Sequence, residues 1–168
     1  MIVFISAPAL HKAALLGQEA VVTSLLARGI SVNARKGRNE WTPLHFAAKS
    51  GQAAVVTLLL ANGADIEAMD KDGWTPLHVA AKNRQDTIVM LLIAAVADVN
   101  ARDRNGQPLL HFAIKYGQET IVKQLINKGA NVNAKDRAGI SSLRCALADG
   151  HKAIVKLLDP LQNREIKS

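Results

Sequence analysis

The chain has 168 residues, enough to bury one core, and its 49 % hydrophobic content excludes an intrinsically disordered protein. Aromatic residues make up only 4 %, so we expect a core of Ala, Leu, Val and Ile in short helices. A lone cysteine excludes an internal disulfide, and the net charge of +7 favours acidic partners.

The N-terminal segment opens with an apolar run at 2–5 that is too short for the core of a signal peptide. No stretch of the sequence reaches the roughly 18 apolar residues of a membrane span. The sequence also has no Asn-x-Ser/Thr acceptor for N-glycosylation. These features favour an intracellular protein, cytoplasmic or nuclear and without a membrane segment; a secreted microbial effector is the alternative.

A short motif recurs along the chain and predicts the first helix of each of five units. Residues 42–48 read Thr-Pro-Leu-His-Phe-Ala-Ala, and 75–81 read Thr-Pro-Leu-His-Val-Ala-Ala. A threonine followed by proline predicts the N-cap and first position of a helix. The aligned positions, which step by 34, 33, 33 and 33 residues, are His11, His45, His78, His111 and Arg144. The steps give approximate repeats 1–35, 36–69, 70–102, 103–135 and 136–168.

A second helix and a turn follow the first helix in each repeat. Apolar residues at helical spacing, such as those at 55–60, predict a helix with one apolar face. Glycines at 17, 51, 117 and 150 and at 29, 63 and 129 are predicted to end helices in the left-handed conformation. The segments Asp70 to Gly73 and Asp103 to Gly106 then predict tight hairpin turns.

Together, the motif, the period and the Gly-Ala-Asn-Val-Asn-Ala segment at 129–134 resemble the ankyrin-repeat family over essentially the whole chain. The resemblance implies an all-α solenoid of five helix-turn-helix units in one domain, 1–168, with β-hairpin fingers. No repeat can bury its apolar faces alone, so the first and last repeats are expected to act as caps. The first opens with apolar residues at 3–5, and the last closes with the polar tail at 162–168.

Several positions depart from the repeat pattern. Arg84 and Val96 stand where the other repeats have glycine, so either a strained left-handed conformation is present there or the turn at Ala95-Val96 closes differently. Pro108 takes the capping position of its helix, and Pro160 is predicted to stop the last helix. One extra residue between Arg35 and Trp41 is expected to lengthen the first finger.

Ankyrin-repeat proteins recognise partners with the finger tips and the inner face of the first helices, so the resemblance implies a concave basic binding face. Lys49, Lys82 and Lys115 occupy one register and would stack at roughly 10 Å, the packing distance of helices. Trp41, Trp74 and Tyr116 map to the same face; for the tryptophans, packing on a neighbouring finger is the alternative. The predicted partner-binding residues are Arg35, Lys36, Arg38, Trp41, Lys49, Lys71, Trp74, Lys82, Arg102, Arg104, Lys115, Tyr116, Lys135 and Arg137.

No catalytic, cofactor-binding or metal-binding residues are predicted, so we expect a protein that is not an enzyme. Four histidines fall one per repeat, too far apart to share a metal, and the resemblance implies hydrogen bonds within and between repeats. Cys145 aligns with Phe46, Val79 and Phe112, all predicted to lie in the core.

The leading hypothesis is a monomeric protein-binding module that takes an acidic or acidic-hydrophobic partner, as an adaptor, scaffold or inhibitor. A nucleic-acid-binding solenoid is the alternative from another class, because a basic face also suits phosphates. A third possibility is that the chain positions a neighbouring domain in a longer protein.

Overall fold

The computed structural model describes residues 7–165, so the expected capping segment at 3–5 and the end of the polar tail at 166–168 lie outside it. Within this range the chain forms ten helices in five pairs. The pairs are α1 (Ala7–Leu16) and α2 (Glu19–Ala27), α3 (Pro43–Ser50) and α4 (Ala53–Ala61), α5 (Pro76–Lys82) and α6 (Asp86–Ala94), α7 (Leu109–Lys115) and α8 (Glu119–Asn127), and α9 (Ser142–Ala148) and α10 (Lys152–Glu165). The predicted all-α repeat architecture is therefore confirmed. None of these helices is both long and apolar enough to cross a membrane.

The helices fall into two compact units that divide after Ala97. In the first unit, α3 packs between α1 and α5, and α4 packs between α2 and α6. In the second unit, α7 packs on α9 and α8 on α10. Aliphatic side chains build both cores, with Leu44 and Leu59 fully buried in the first and Leu110 and Ile121 almost so in the second.

The first helices begin as the threonine-proline motif predicts. Thr42 and Thr75 adopt extended N-cap conformations, and a proline fills the next position of each helix. The backbone N–H of Thr42 donates to His45 Nδ1 at 3.2 Å, and that of Thr75 donates to His78 Nδ1 at 3.3 Å. The histidine thus takes the place that Glu or Gln holds in the usual capping box.

Left-handed residues close the helices at the predicted glycines and at both predicted exceptions. Gly51 and Gly63 have φ of 71° and 80°, while Arg84 and Val96 have φ of 55° and 71°. Cβ crowding makes this region unfavourable for a non-glycine residue by about 1–2 kcal/mol. The strain predicted for repeat three is therefore present at both positions.

Aspartates organise the turns between repeats. Asp70 Oδ1 accepts from the backbone N–H groups of Asp72 and Trp74 at 2.8 and 2.9 Å. Asp103 and Asp136 do the same in their own turns. The turn after Lys36 has no such aspartate and is one residue longer, as predicted, with Glu40 at φ 57°. Each of three turns carries one isolated antiparallel bridge, at Lys36–Trp41, Arg102–Pro108 and Lys135–Ser141.

The two predictions about proline had different outcomes. Pro108 caps α7 without a side-chain hydrogen bond, as expected, and Leu109 instead donates its N–H to the carbonyl of Ala101 at 2.9 Å. The prediction that Pro160 stops the last helix was wrong, because α10 continues through it to Glu165. A proline inside a helix removes one backbone hydrogen bond and crowds the carbonyl four residues before it, and α10 extends past Pro160 despite both effects.

Candidate functional site

Trp41 is the centre of an aromatic cluster on the second repeat. Its indole N–H donates to Asp70 Oδ2 at 2.9 Å, which ties the ring to the neighbouring turn. The ring also stacks on His45 with centroids 5.9 Å apart and meets Phe46 edge-on at 5.2 Å. Trp41 is half-buried, so it has both the structural role considered from the sequence and a remaining accessible edge.

Two lysines lie over the two tryptophans in equivalent positions of repeats two and three. Lys49 Nζ is 5.7 Å from the centre of the Trp41 ring, and Lys82 Nζ is 4.4 Å from that of Trp74. These distances are within the range of a cation–π interaction. Both lysines remain exposed, in the last turns of α3 and α5. The ammonium groups are thus positioned by the rings and still accessible to a partner.

Two adjacent cavities surround this cluster. Pocket one has a volume of about 350 Å³ and is lined by Lys36, Gly37, Arg38, Asn39, Trp41, Phe46 and Lys49. Pocket two has a volume of about 210 Å³ and is lined by Trp41, Lys49, Trp74, Val79, Lys82 and Asn83. Trp41 and Lys49 line both cavities and form the wall between them.

The sequence prediction for Phe46 was wrong. It was placed in the core by alignment with Phe112, which is 5 % exposed, but Phe46 is only half-buried and lines pocket one. Lys36 Nζ lies 5.9 Å from the centre of its ring. Phe46 was therefore missed as a site residue, because an aligned register does not reveal how far each ring is exposed in its own repeat.

The remaining predicted site residues of the first unit are exposed around these cavities. Lys36, Arg38 and Lys71 are all exposed, and the first two line pocket one. Arg35 is different, since its guanidinium donates to the carbonyl of Met69 at 2.8 Å and pairs with Glu40 at 3.4 Å. Arg35 thus joins two neighbouring turns, a role that needs no partner.

The second unit carries the other predicted residues. Arg102 donates to the carbonyls of Gly106 and Lys135 at 2.7 and 2.8 Å, so it joins turns as Arg35 does. Tyr116 is 39 % exposed and lies on Phe112 with ring centroids 5.0 Å apart. The other predicted site residues of this unit are Arg104, Lys115, Lys135 and Arg137, and all four are exposed. No tryptophan accompanies them, because both tryptophans of the chain lie in the first unit.

The histidines of the repeat motif are structural, as predicted. His45 Nε2 donates to the carbonyl of Trp74 at 3.0 Å, and His111 Nε2 to that of Ala134 at 2.9 Å. Burial lowers the pKa of both imidazoles by disfavouring the charged form. Among the side chains that the structure describes, at 7–160, no group of three metal-ligating residues comes together.

Cys145 was predicted to be a small buried hydrophobic residue, but it is only half-buried, beside His111. Burial is the first cause of the raised pKa of its thiol, and the carboxylates of Asp136 and Asp149 add to it. A thiol with a raised pKa carries little of the reactive thiolate at neutral pH.

A column of glutamines joins neighbouring repeats and was not identified from the sequence. Gln85 Nε2 donates to the carbonyl of Lys49 at 3.3 Å, and Gln52 to that of Leu15 at 3.5 Å. A Cβ on Gly51 would collide with the Gln85 side chain. Gly51 therefore leaves space for the glutamine side chain of the next repeat and also provides the left-handed turn. The hydrogen bond from Gln85 fixes the carbonyl of Lys49 at the end of α3.

A family model described as ankyrin repeats (3 copies) matches residues 10–103, 67–136 and 97–166. These matches together span most of the chain. No curated protein matches the sequence.

Proposed function

Because the chain belongs to the ankyrin-repeat family, whose members are generally protein–protein interaction modules, we propose that it binds an acidic segment of a partner protein through repeats two and three. Members of this family are typically not enzymes. An adaptor, scaffold or inhibitor role would follow from such binding. The proposed site comprises Lys36, Arg38, Trp41, Phe46, Lys49, Lys71, Trp74 and Lys82.

One observation carries this proposal: among the side chains that the structure describes, the lysines lining the two cavities form no ion pair with an acidic group. The ion pairs Arg35–Glu40 and Lys123–Glu119 involve none of these lysines. Lys36, Lys49 and Lys82 instead lie over aromatic rings. Exposed cations that line one surface without an acidic neighbour favour an acidic ligand, which supports an anionic partner.

The aromatic residues support a protein partner. Tryptophan and tyrosine supply large contact areas and are enriched among the residues that dominate protein interfaces. Accessible rings beside unpaired cations suit a segment that combines apolar and acidic side chains.

Nucleic acid is a weaker candidate for this site. Single strands bind by stacking bases on open aromatic faces. Here Trp41 already stacks on His45 and lies near Lys49, while Trp74 lies under Lys82. Phosphates also favour helix N-termini, whereas Lys49 and Lys82 sit in the last turns of their helices.

The test compares two sets of probes at low and moderate salt. One set is a displayed library of short peptides rich in Glu, Asp and Leu; the other is single-stranded and duplex oligonucleotides of mixed sequence. We expect selection of acidic peptides, and we expect Lys49→Glu/Lys82→Glu to weaken their binding about tenfold or more.

The control variant is Arg28→Glu/Lys128→Glu, which makes the same change in charge at the C-caps of α2 and α8. It should reduce peptide affinity far less than the site variant. An equal loss in both variants, or oligonucleotide binding tighter than peptide binding with a steep salt slope, contradicts the proposal.

A further inference from the structure

Resting on the proposed function, the geometry points to one kind of ligand: an extended segment with an apolar side chain and a carboxylate three residues apart. The apolar side chain occupies pocket one and the carboxylate occupies pocket two. The two pockets thus specify which residue types the partner segment carries and how far apart they lie, which the charge of the surface alone does not specify.

Pocket one has the chemistry for the apolar side chain. Phe46 and Trp41 meet edge-on at 5.2 Å and provide an aromatic lining in a cavity of about 350 Å³. Lys36, Arg38 and Lys49 line the same cavity with cations. A leucine-sized side chain would cover the exposed part of the Phe46 ring, and the surrounding cations favour acidic residues beside it.

Pocket two has the chemistry for a carboxylate. Its cavity of about 210 Å³ is lined by Lys49 and Lys82, whose ammonium groups lie over tryptophan rings. A carboxylate there can pair with either ammonium. The site lies at the C-terminal ends of α3 and α5, where the negative end of the helix dipole offsets part of the attraction that the ammonium groups would have for a second negative charge.

The spacing follows from the repeat. Pocket one is lined by Trp41, Phe46 and Lys49, and pocket two by Trp74, Val79 and Lys82, which occupy the same positions one repeat later. The two pockets are therefore offset by about one repeat, roughly 10 Å at the packing distance of helices. In a polyproline II segment, side chains three residues apart return to the same side after about 9 Å. In a β-strand the third residue points to the opposite side. A polyproline II segment therefore reaches both pockets with residues i and i+3.

The experiment uses the full chain and two blocked peptides of identical composition. Ala-Pro-Leu-Pro-Ala-Glu-Pro-Ala places Leu and Glu three residues apart, and Ala-Pro-Leu-Pro-Glu-Ala-Pro-Ala places them two apart. Tryptophan emission reports binding, because the two tryptophans of the chain both line pocket two. We expect the first peptide to bind about fivefold more tightly, since only its spacing serves both pockets.

Changes in the peptide separate the two contacts. Leu→Ala should weaken binding of the first peptide about tenfold, as expected for one lost aliphatic contact. Glu→Gln should weaken it by a similar factor. Replacing Glu with phosphoserine should give no gain, so tighter binding of the phosphopeptide would overturn the assignment of a carboxylate.

Changes in the protein then localise each contact. Lys82→Gln should weaken the Glu peptide but leave the Gln peptide unchanged, whereas Phe46→Leu should reduce the preference for Leu over Ala. The control is Lys128→Gln, at the exposed C-cap of α8, which should leave every affinity unchanged.

The outcomes distinguish the two proposals. Equal affinity of the spacing isomers, or binding without a change in tryptophan emission, overturns the two-pocket inference. If acidic peptides from the library still bind and still depend on Lys49 and Lys82, the proposed function stands without it. If no acidic peptide binds, the proposed function fails as well.

Discussion

At the scale of single residues, Val96 has a strained left-handed backbone, and its exposed side chain makes no buried contact that would offset the strain. Its φ is 71° and its side chain is 86 % exposed. The equivalent residue of repeat two is Gly63, which has a φ of 80°. A Cβ added to Gly63 would have no atom within 4 Å, so the space around this position is open. Repeat three therefore keeps the backbone shape of its neighbours at the expense of stability.

Val96→Gly is expected to stabilise the protein by about 1 kcal/mol, because it relieves a left-handed non-glycine residue and removes no buried side chain. The midpoint of urea unfolding measures the change. Ala95→Gly is the control, since Ala95 has a φ of −84° and gains nothing from glycine. A lower or unchanged midpoint for Val96→Gly would mean that this turn is not strained.

Residue-scale accessibility was the property that the sequence predicted least well. Phe46 and Phe112 occupy the same register, yet Phe46 lines a cavity and Phe112 is buried. Around Phe46 lie the longer turn at 37–40 and the ring of Trp41, which are particular to repeat two and are not described by a repeat alignment. The structural roles of Arg35 and Arg102 could not be predicted either, because a charge pattern does not show their hydrogen bonds to neighbouring turns.

At the scale of helices, the stability of the start of α3 depends on pH through His45, which caps this helix. His45 Nδ1 must be unprotonated to accept the N–H of Thr42, while Nε2 donates to Trp74. Burial lowers the pKa of His45 below its unfolded value of about 6.5. Between about pH 6.5 and the lowered pKa, the unfolded protein binds a proton at His45 that the folded protein does not bind. The free energy of unfolding is therefore highest above about pH 6.5 and decreases as the pH falls below that value.

His45→Gln is expected to reduce this loss, because glutamine also serves in a capping box but takes up no proton. Between about pH 6.5 and the lowered pKa, one histidine contributes a slope of up to about 1.4 kcal/mol per pH unit. Urea unfolding of both proteins across this range measures the difference. His111 has a lowered pKa too, so part of the slope should remain. The same slope in both proteins would exclude His45 as its source.

Most helix boundaries could be predicted, because local chemistry determines them. Thr42 with Pro43 starts a helix, Gly51 ends one, and Asp70 closes a turn, each within a few residues of chain. Contacts between repeats could not be predicted in this way. The Gln85 bond to the end of α3 joins residues 36 positions apart and became visible only in the structure.

At the scale of the whole molecule, the net charge of +7 bears on how fast a partner arrives. Exposed cations attract an acidic partner over a distance set by the Debye length, about 10 Å at 0.1 M salt and about 3 Å at 1 M. Contacts inside the two pockets act only after arrival. Association should therefore depend on salt more strongly than dissociation does.

For an acidic peptide selected from the library, we expect the association rate to fall about tenfold between about 0.1 and 1 M salt, and the dissociation rate to change much less. Stopped-flow tryptophan emission measures both rates. Lys36→Gln/Lys71→Gln should lower the association rate at low salt more than Arg28→Gln/Lys128→Gln, which removes the same charge elsewhere. If both variants slow association equally, total charge steers the partner, and the placement of cations around repeats two and three has no part in its approach.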